Sequence, residues 1–436
     1  MTIEETFDIQ FSPENLKLIF EEKISKSGTV GKDGVHPSAF EKKLDTELAL
    51  VIKKVRDKKY NFTPFKQRLI LKGAGKPPRE ISIAGVRDRL VLRAITNVLS
   101  SVFSDAKIPA PHHFIGEIKE YIRHLSDEYS FVQLDVKDFY PSLQHAYLVE
   151  QISARTAHPE LQYLVTRAIT TPTGDRTERS EIGVPQGLSI SNVLSSIYMM
   201  KIDNEARAKL QYFRYVDDIL IICRTSEAER NFQYISQQLK MAGLECHALG
   251  TKSKVVPLSK SVDYLGYRLS PNLVSVRQSS YQRMMENIMS VITAGKYKHQ
   301  PKRTLLKLNI KITGCIMNEK RFGWMFFFSM TEDINQLKRL DRFVKMQWEK
   351  TGLAQFGKPK KFVKTFHEIR YNTAETKYIP RFDDYTIEKK MELISVMEGL
   401  DVSDIRDWTQ EKIERKFWYY IRREVADLEK DITPLS

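Results

Sequence analysis

Cysteine is scarce: three in 436 residues, Cys223, Cys246 and Cys315, far apart and odd in number. That excludes a disulfide framework and a clustered zinc site, and it predicts a protein of the reducing cytoplasm. No apolar run approaches the roughly 20 residues a membrane span needs, so no membrane partner is expected. The opening MTIEETFDIQF has no basic stretch followed by an apolar one, which predicts no secretory leader. Internal repeats and low-complexity tracts are missing too. Residues 27–35 are glycine-rich but lack a closing Gly-Lys-Ser/Thr, so they do not form a P-loop. Acids are outnumbered, 55 against 69 Lys and Arg, for a net charge of +14. Such a surplus points to a polyanionic partner, nucleic acid first. With 42% hydrophobic residues, a chain of this length folds into roughly two to four units with sizeable cores.

The chain is organised around residues 213–222, FRYVDDILII. An aromatic lead-in, two adjacent acids and a run of β-forming residues predict a strand, a tight turn and a buried strand. On one flat strand the two side chains would face opposite ways. A turn at Val216-Asp217 presents Asp217 and Asp218 near a common edge instead. Two carboxylates this close repel, and a divalent cation is their natural third party. A polar hairpin tip would suit one exposed acid, but not two wedged between Tyr215 and Ile219.

Elsewhere, residues 1–26 read as one amphipathic helix with Ser12-Pro13 as its start signal, and residues 37–59 as another. Residues 62–84 alternate as a β-hairpin carrying Lys72, Lys76 and Arg79 around its tip. That is either a solvated charged hairpin or a basic flap that closes over a triphosphate. Apolar positions 86, 90, 91, 94, 95, 98 and 99 make a helix stripe. Residues 131–136 form an apolar strand reaching Asp135, a costly place for an acid without a partner. A helix follows through Ile152. Gln186, flanked by glycines in GVPQGLS, opens another helix; it is either an ordinary cap or an amide offered to a base or sugar. Residues 226–243 form a helix closed by Gly243. Residues 244–249 and 252–256 read as strand pieces, and 263–269 as a hairpin. Beyond Ser280 the chain is helical and basic: Lys296, Lys298, Lys302, Arg303, Lys307 and Lys311, then Lys358, Lys360, Lys361 and Lys364. These suit a nucleic-acid backbone or a solvated helix face. After Trp408, a stripe of Ile413, Phe417, Tyr420, Ile421, Val425 and Leu428 predicts a helix that docks on the chain itself or on another subunit.

In this order, with a basic hairpin, DxxxxY, VPQG, YVDD, a lysine loop and LGY, residues 25–345 resemble a reverse transcriptase. The resemblance implies an α+β right-hand polymerase: fingers with N-terminal helices over 1–130, and an RRM-like palm sheet over 131–280, of which about 150–182 belongs to the fingers. A helical thumb would span 281–350 and a helical C-terminal extension 351–436. The implied activity is RNA-directed DNA synthesis by two-metal nucleotidyl transfer. Asp135, Val136, Asp217 and Asp218 would hold two Mg²⁺ ions. Lys252, with Lys254 as the alternative, would protonate pyrophosphate. Lys76 and Arg79 would grip the triphosphate, Gln186 and Tyr215 would line the nucleotide pocket, and Tyr140 would exclude a ribose 2′-hydroxyl. Tyr264, Leu265 and Gly266 would hold the primer, with Lys302 and Arg303 on the primer–template. The implied partners are an RNA template, its DNA product and dNTPs. The chain departs from bacterial intron-encoded and retron enzymes in reading YVDD rather than YADD. It also lacks their NAxxH element, and Ile312-Thr313-Gly314 only approximates their VTG. No HNH-like nuclease, integrase or RNase H segment follows the thumb. The result looks like the domesticated, defence-associated bacterial enzymes, which suggests a dedicated structured non-coding RNA, an anti-phage role and oligomerisation through the C-terminal helices. A retron enzyme, a group II intron-type maturase or an RNA-binding protein are the alternatives.

Overall fold

Two helices rather than one carry the N-terminal stripe. Thr2 and Glu5 form a capping box on α1 (Ile3–Gln10). Ser12 caps α2 (Pro13–Ile19), whose first-turn Pro13 has no N–H to donate backwards, and a wide turn over Phe20–Ile24 continues it. The computed structural model describes residues 2–25, 27–71, 77–297 and 300–432. It divides into two compact units, residues 1–108 with 130–255 and residues 109–129 with 256–436.

In the first unit the 37–59 pattern likewise breaks into α3 (Pro37–Glu41) and α4 (Leu44–Arg56). β1 (Lys66–Ile70) pairs antiparallel with β2 (Arg79–Ile83), Ile70 opposite Arg79. Lys72 and Lys76 of the hairpin tip lie outside the described residues. α5 (Val86–Val102) buries Val86, Leu90, Val91, Ala94, Ile95, Val98 and Leu99, the predicted stripe in full. After α6 (Pro111–Ile122), which belongs to the second unit, comes a βαββαβ succession. It runs through β3 (Tyr129–Asp135), the helices α7 (Phe139–Ser142), α8 (His145–Ser153), α9 (Pro159–Thr170) and α10 (Ser191–Arg207), then the hairpin β4 (Gln211–Tyr215) and β5 (Asp218–Arg224). α11 (Ala228–Met241) and β6 (Lys254–Pro257) complete it.

These strands align in the order β4-β5-β3-β6, which is the split βαβ arrangement of RRM-like sheets. Alternation fixes which face is covered: Val132 and Leu134 of β3, with Ile219, Ile221 and Cys223 of β5, join a core with Leu194 and Ile197 of α10 and Phe232 and Ile235 of α11. Each such aliphatic or aromatic burial contributes about 1.5–3 kcal/mol. Just past β3, Lys137 N donates to Glu245 O (2.8 Å) and His247 N donates to Asp135 O (2.9 Å), with Val136 bridging Cys246. The 244–249 strand is thus a short bridging segment that ties down the end of β3.

The second unit contains a meander of β7 (Val262–Tyr264), β8 (Tyr267–Leu269) and β9 (Val274–Val276). The long helices α12 (Gln278–Tyr297) and α13 (Pro301–Thr313) follow, then a hairpin of β10 (Cys315–Met317) and β11 (Lys320–Phe322). Among the described residues it closes with the α-helices α14 (Trp324–Phe327), α15 (Ile334–Lys350), α16 (Phe362–Tyr371), α17 (Ile387–Glu398), α18 (Val402–Arg406) and α19 (Gln410–Lys430). The stripe of Ile413, Phe417, Ile421, Val425 and Leu428 on α19 is buried with Leu393, Ile394 and Met397 of α17, so it docks within this chain. Several of the basic residues read as nucleic-acid contacts turn inward as well. Lys311 Nζ bonds Asp431 at 2.7 Å with both side chains buried, Lys307 pairs with Glu424 at 2.6 Å, and Lys360 donates to Tyr378 O at 2.5 Å. Lys364 lies over the Tyr378 ring. Internal acids and carbonyls claim these cations because a buried charge without a partner is costly. Among the described residues, no helix is long and apolar enough to cross a membrane.

Candidate active site

The turn between β4 and β5 falls at Val216-Asp217, with Tyr215 facing Asp218 across the ladder. Val216 has φ +58° and Asp217 has no positive φ, the sign pattern of a type II′ hairpin turn. Asp217 and Asp218 are half-buried, as is Tyr215, whose hydroxyl pKa is raised by burial. Asp135 closes β3, the neighbour of β5 in the sheet. Its N–H donates to Ser253 Oγ at 3.2 Å, its carbonyl accepts from His247, and its carboxylate lies 3.8 Å from Lys252 Nζ. Lys252 rather than Lys254 is therefore the lysine beside the acid.

Among the described residues, no three His, Cys, Asp or Glu side chains converge closely enough to hold a metal ion. Like-charged carboxylates hold apart unless a cation lies between them. The donor set itself, three partly exposed carboxylates at the ends of neighbouring strands with an ammonium already beside one of them, has the all-oxygen chemistry of a hard divalent ion.

Tyr140 stands in the same neighbourhood. Burial raises its hydroxyl pKa, and the Asp217 charge raises it further. Tyr140 Oη donates to Asn192 Oδ1 on α10 at 2.7 Å, and its carbonyl accepts from Val184 N at 2.9 Å. The VPQG turn is thereby joined to the tyrosine. Gly183 N donates to Leu143 O (2.8 Å), His145 Nε2 bonds the Gly183 carbonyl (2.7 Å), and Gln186 O accepts from Ser82 N on β2 (2.7 Å). Gly187, at φ +94°, packs so tightly on β2 that a Cβ would stand 2.6 Å from Ile81 Cγ2. Tyr140, the Gln186 turn and the base of the β1–β2 hairpin thus form one hydrogen-bonded assembly.

The remaining sequence-designated residues are described within their own units. Arg79 is half-buried at the first position of β2, and Lys76 lies outside the described residues. Tyr264-Leu265-Gly266 belongs to the second unit, where Leu265 (φ +47°) and Gly266 (φ +82°) make the type I′ turn between β7 and β8. Tyr264 and Leu265 are buried there, Lys302 is exposed on α13, and Arg303 bonds Gln300.

Sequence reasoning missed the group beneath the aspartate turn. Arg214 is 2% exposed, and its guanidinium bonds Asp203 of α10 through Nε–Oδ1 (2.7 Å) and Nη2–Oδ2 (2.5 Å). Its Nη1 donates to Val216 O at 2.7 Å, and Tyr212 Oη also donates to Asp203 Oδ1, at 3.0 Å. An arginine inside a buried strand calls for an acid, but nothing local to FRYVDD says which. Asn192, His145 and Ser253, which hold Tyr140, Gly183 and Asp135, carry no sequence signal of their own.

Comparison with known proteins gives this geometry a context. Residues 70–269 match the family model described as "Reverse transcriptase (RNA-dependent DNA polymerase)". An uncharacterized 91 kDa protein in a cob intron of Schizosaccharomyces pombe is 23% identical over 231 residues, covering 51% of this chain and 28% of that protein. The group II intron-encoded protein LtrA of Lactococcus lactis subsp. cremoris is 21% identical over 167 residues, covering 36% of this chain and 28% of that one. The chain thus spans less than a third of the length of these two relatives. Among solved structures, telomerase from Candida albicans in complex with a fragment of telomeric RNA aligns over 87% of this chain and 69% of its own. The TM-score there is 0.46 and the identity 13%.

Proposed function

We propose that the reverse transcriptase domain at residues 70–269 makes this chain an RNA-directed DNA polymerase, adding dNTPs to a primer on an RNA template. The observation that supports this most is the shared neighbourhood of the acids and the tyrosine. Asp135 and the Asp217-Asp218 turn sit on adjoining strands, and the charge of Asp217 acts on Tyr140, which is itself bonded to the VPQG turn.

The residues divide the work. Asp135, Asp217 and Asp218, with the Val136 carbonyl, would hold two Mg²⁺ ions, which when bound supply Lewis acidity at the primer hydroxyl and at the pyrophosphate. Lys252, beside Asp135, would deliver a proton to departing pyrophosphate. The Tyr140 ring would fill the space a ribose 2′-hydroxyl needs, and the Gln186 turn would form the adjoining wall of the nucleotide pocket. Lys76 and Arg79 would close on the triphosphate from the β1–β2 hairpin, and the Tyr264-Leu265-Gly266 turn would hold the primer.

The finer reading is an enzyme devoted to one structured non-coding RNA and serving anti-phage defence, with residues 351–436 as an additional RNA-holding extension. A second reading, an intron-type maturase, is favoured by the intron-encoded relatives. It predicts splicing assistance that survives loss of the acids.

The test of the polymerase reading is Asp217→Ala with Asp218→Ala. Primer extension should fall below detection, with RNA binding and melting temperature retained or raised, because two repelling half-buried charges are removed. Extension at near-parental rate would sink the assignment.

A further inference from the structure

The aspartate turn is built at a cost. Val216 is β-branched and sits at φ +58°, a conformation that such residues rarely adopt unless the surroundings impose it. What imposes it is visible in the strand beneath. Tyr212 and Arg214 are two apart on β4, so both face α10, and both reach the carboxylate of Asp203. Asp203 is 4% exposed and Arg214 2%. Two nitrogens on one edge of the guanidinium bond Asp203, and the third donates to the carbonyl of Val216, the residue of unfavourable φ.

A buried ion pair is weak evidence for stability, since a well-packed apolar pair of the same volume usually serves the fold as well or better. A hydrophobic pair would leave the Val216 carbonyl without a donor, however. Lysine would not replace arginine either, because one ammonium lacks the planar fork that grips a carboxylate bidentately while a further N–H points elsewhere.

We propose that Arg214 is the positioning residue of the catalytic turn. Locked by Asp203 of α10, it holds the Val216 carbonyl, and with it the strained φ that sets where Asp217 and Asp218 present their carboxylates. The proposal rests on the polymerase reading for the meaning of those carboxylates, but not for the geometry of the clamp.

Three variants test it: Arg214→Met with Asp203→Leu, Arg214→Lys alone, and Arg214→Lys with Val216→Gly. Each is followed by melting temperature, by Mn²⁺ binding counted from the electron paramagnetic resonance of the free ion, and by primer extension. The apolar double variant leaves no buried charge unpaired but takes the acceptor from the Tyr212 hydroxyl, so it should stay folded with a melting temperature lowered by several degrees. Its half-saturating Mn²⁺ should rise at least tenfold and its kcat fall at least tenfold, with the KM for dNTP within about threefold. Arg214→Lys should lower the melting temperature and weaken Mn²⁺ binding similarly when assayed well below that temperature. Glycine adopts positive φ without strain, so Val216→Gly should recover Mn²⁺ affinity in the lysine background without recovering the melting temperature. A merely structural arginine would show the reverse. Parental Mn²⁺ binding in the apolar double variant, or recovery of stability but not of Mn²⁺ binding by Val216→Gly, overturns the proposal. If the double variant does not fold, the two lysine variants decide alone. If the parent extends no primer, the polymerase reading fails while the Mn²⁺ measurements still judge the clamp.

Discussion

At the scale of single residues, the polymerase proposal gives Tyr140 and Lys252 separable jobs. Tyr140 would discriminate by ring volume, while its hydroxyl bonds Asn192. Tyr140→Ala should lower the preference for dNTP over NTP by an order of magnitude or more, read from kcat/KM for each nucleotide. Tyr140→Phe keeps the ring and loses one hydrogen bond, worth about 0.5–1.5 kcal/mol, so its sugar preference should stay within a few-fold of the parent. An unchanged ratio in Tyr140→Ala would reduce the tyrosine to packing. For Lys252, the 3.8 Å approach to Asp135 separates it from Lys254. General acid catalysis contributes roughly 10²–10⁴ in rate. Lys252→Ala should therefore lower kcat at least a hundredfold, and Lys254→Ala by less than tenfold. Equal losses would mean that neither lysine acts as the acid alone.

At the scale of elements, α10 works as a beam: Asn192 near its start holds Tyr140, and Asp203 near its end holds the arginine under the aspartate turn. α5 is pinned in another way. Asp88, 2% exposed, accepts from Tyr60 Oη (2.7 Å) and Thr63 N (3.0 Å). Burial pushes its carboxyl up from 3.8 to about 6, with the two hydrogen bonds partly offsetting that rise. The folded protein therefore binds this proton more tightly than the unfolded chain does. The contribution to stability is full below the ordinary carboxylate range, declines as pH rises through about 6, and is flat above it. A shift of this size corresponds to roughly 2–3 kcal/mol. Urea unfolding between acid and neutral pH should show that decline in the parent and a flatter profile in Asp88→Asn, which keeps an acceptor for Thr63 without the charge. Parallel profiles would mean that Asp88 does not carry the effect.

At the scale of the whole molecule, the surplus of +14 is not evenly available. Lys307, Lys311 and Lys360 are committed to internal partners, whereas Lys296, Lys302, Lys358 and Lys361 are exposed. Each exposed lysine that contacts a phosphate contributes close to one counterion to the salt dependence of RNA binding. Glutamate at Lys296, Lys302, Lys358 and Lys361 together should weaken RNA binding by an order of magnitude or more and flatten its salt slope, measured by fluorescence anisotropy over a salt series. Lys311→Met should lower melting temperature by removing the cation from the buried Asp431 carboxylate, which keeps its bond from Asn287, and leave the slope at its parental value. If the two variants exchange these outcomes, the partition into internal and RNA-facing lysines is wrong.

The α+β class, the hairpin that carries Asp217 and Asp218, the strand that ends on Asp135 and the helix stripes of α5 and α19 were legible in the residues. Each follows from local physics: side-chain periods of 2 and 3.6, and glycine or proline where the backbone turns. The breaks at Ser12-Pro13 and between α3 and α4 were less legible, because an apolar stripe continues across a cap without losing phase. Tertiary structure alone decided which partner each buried charge takes. Asp203 meets Arg214 because α10 crosses β4 two residues before the turn, and Lys311 meets Asp431 because α19 folds back on α13. A lysine row has the same period whether it faces water or an acid from a distant helix. Only packing, by setting the desolvation that makes an unpaired charge expensive, tells the two apart.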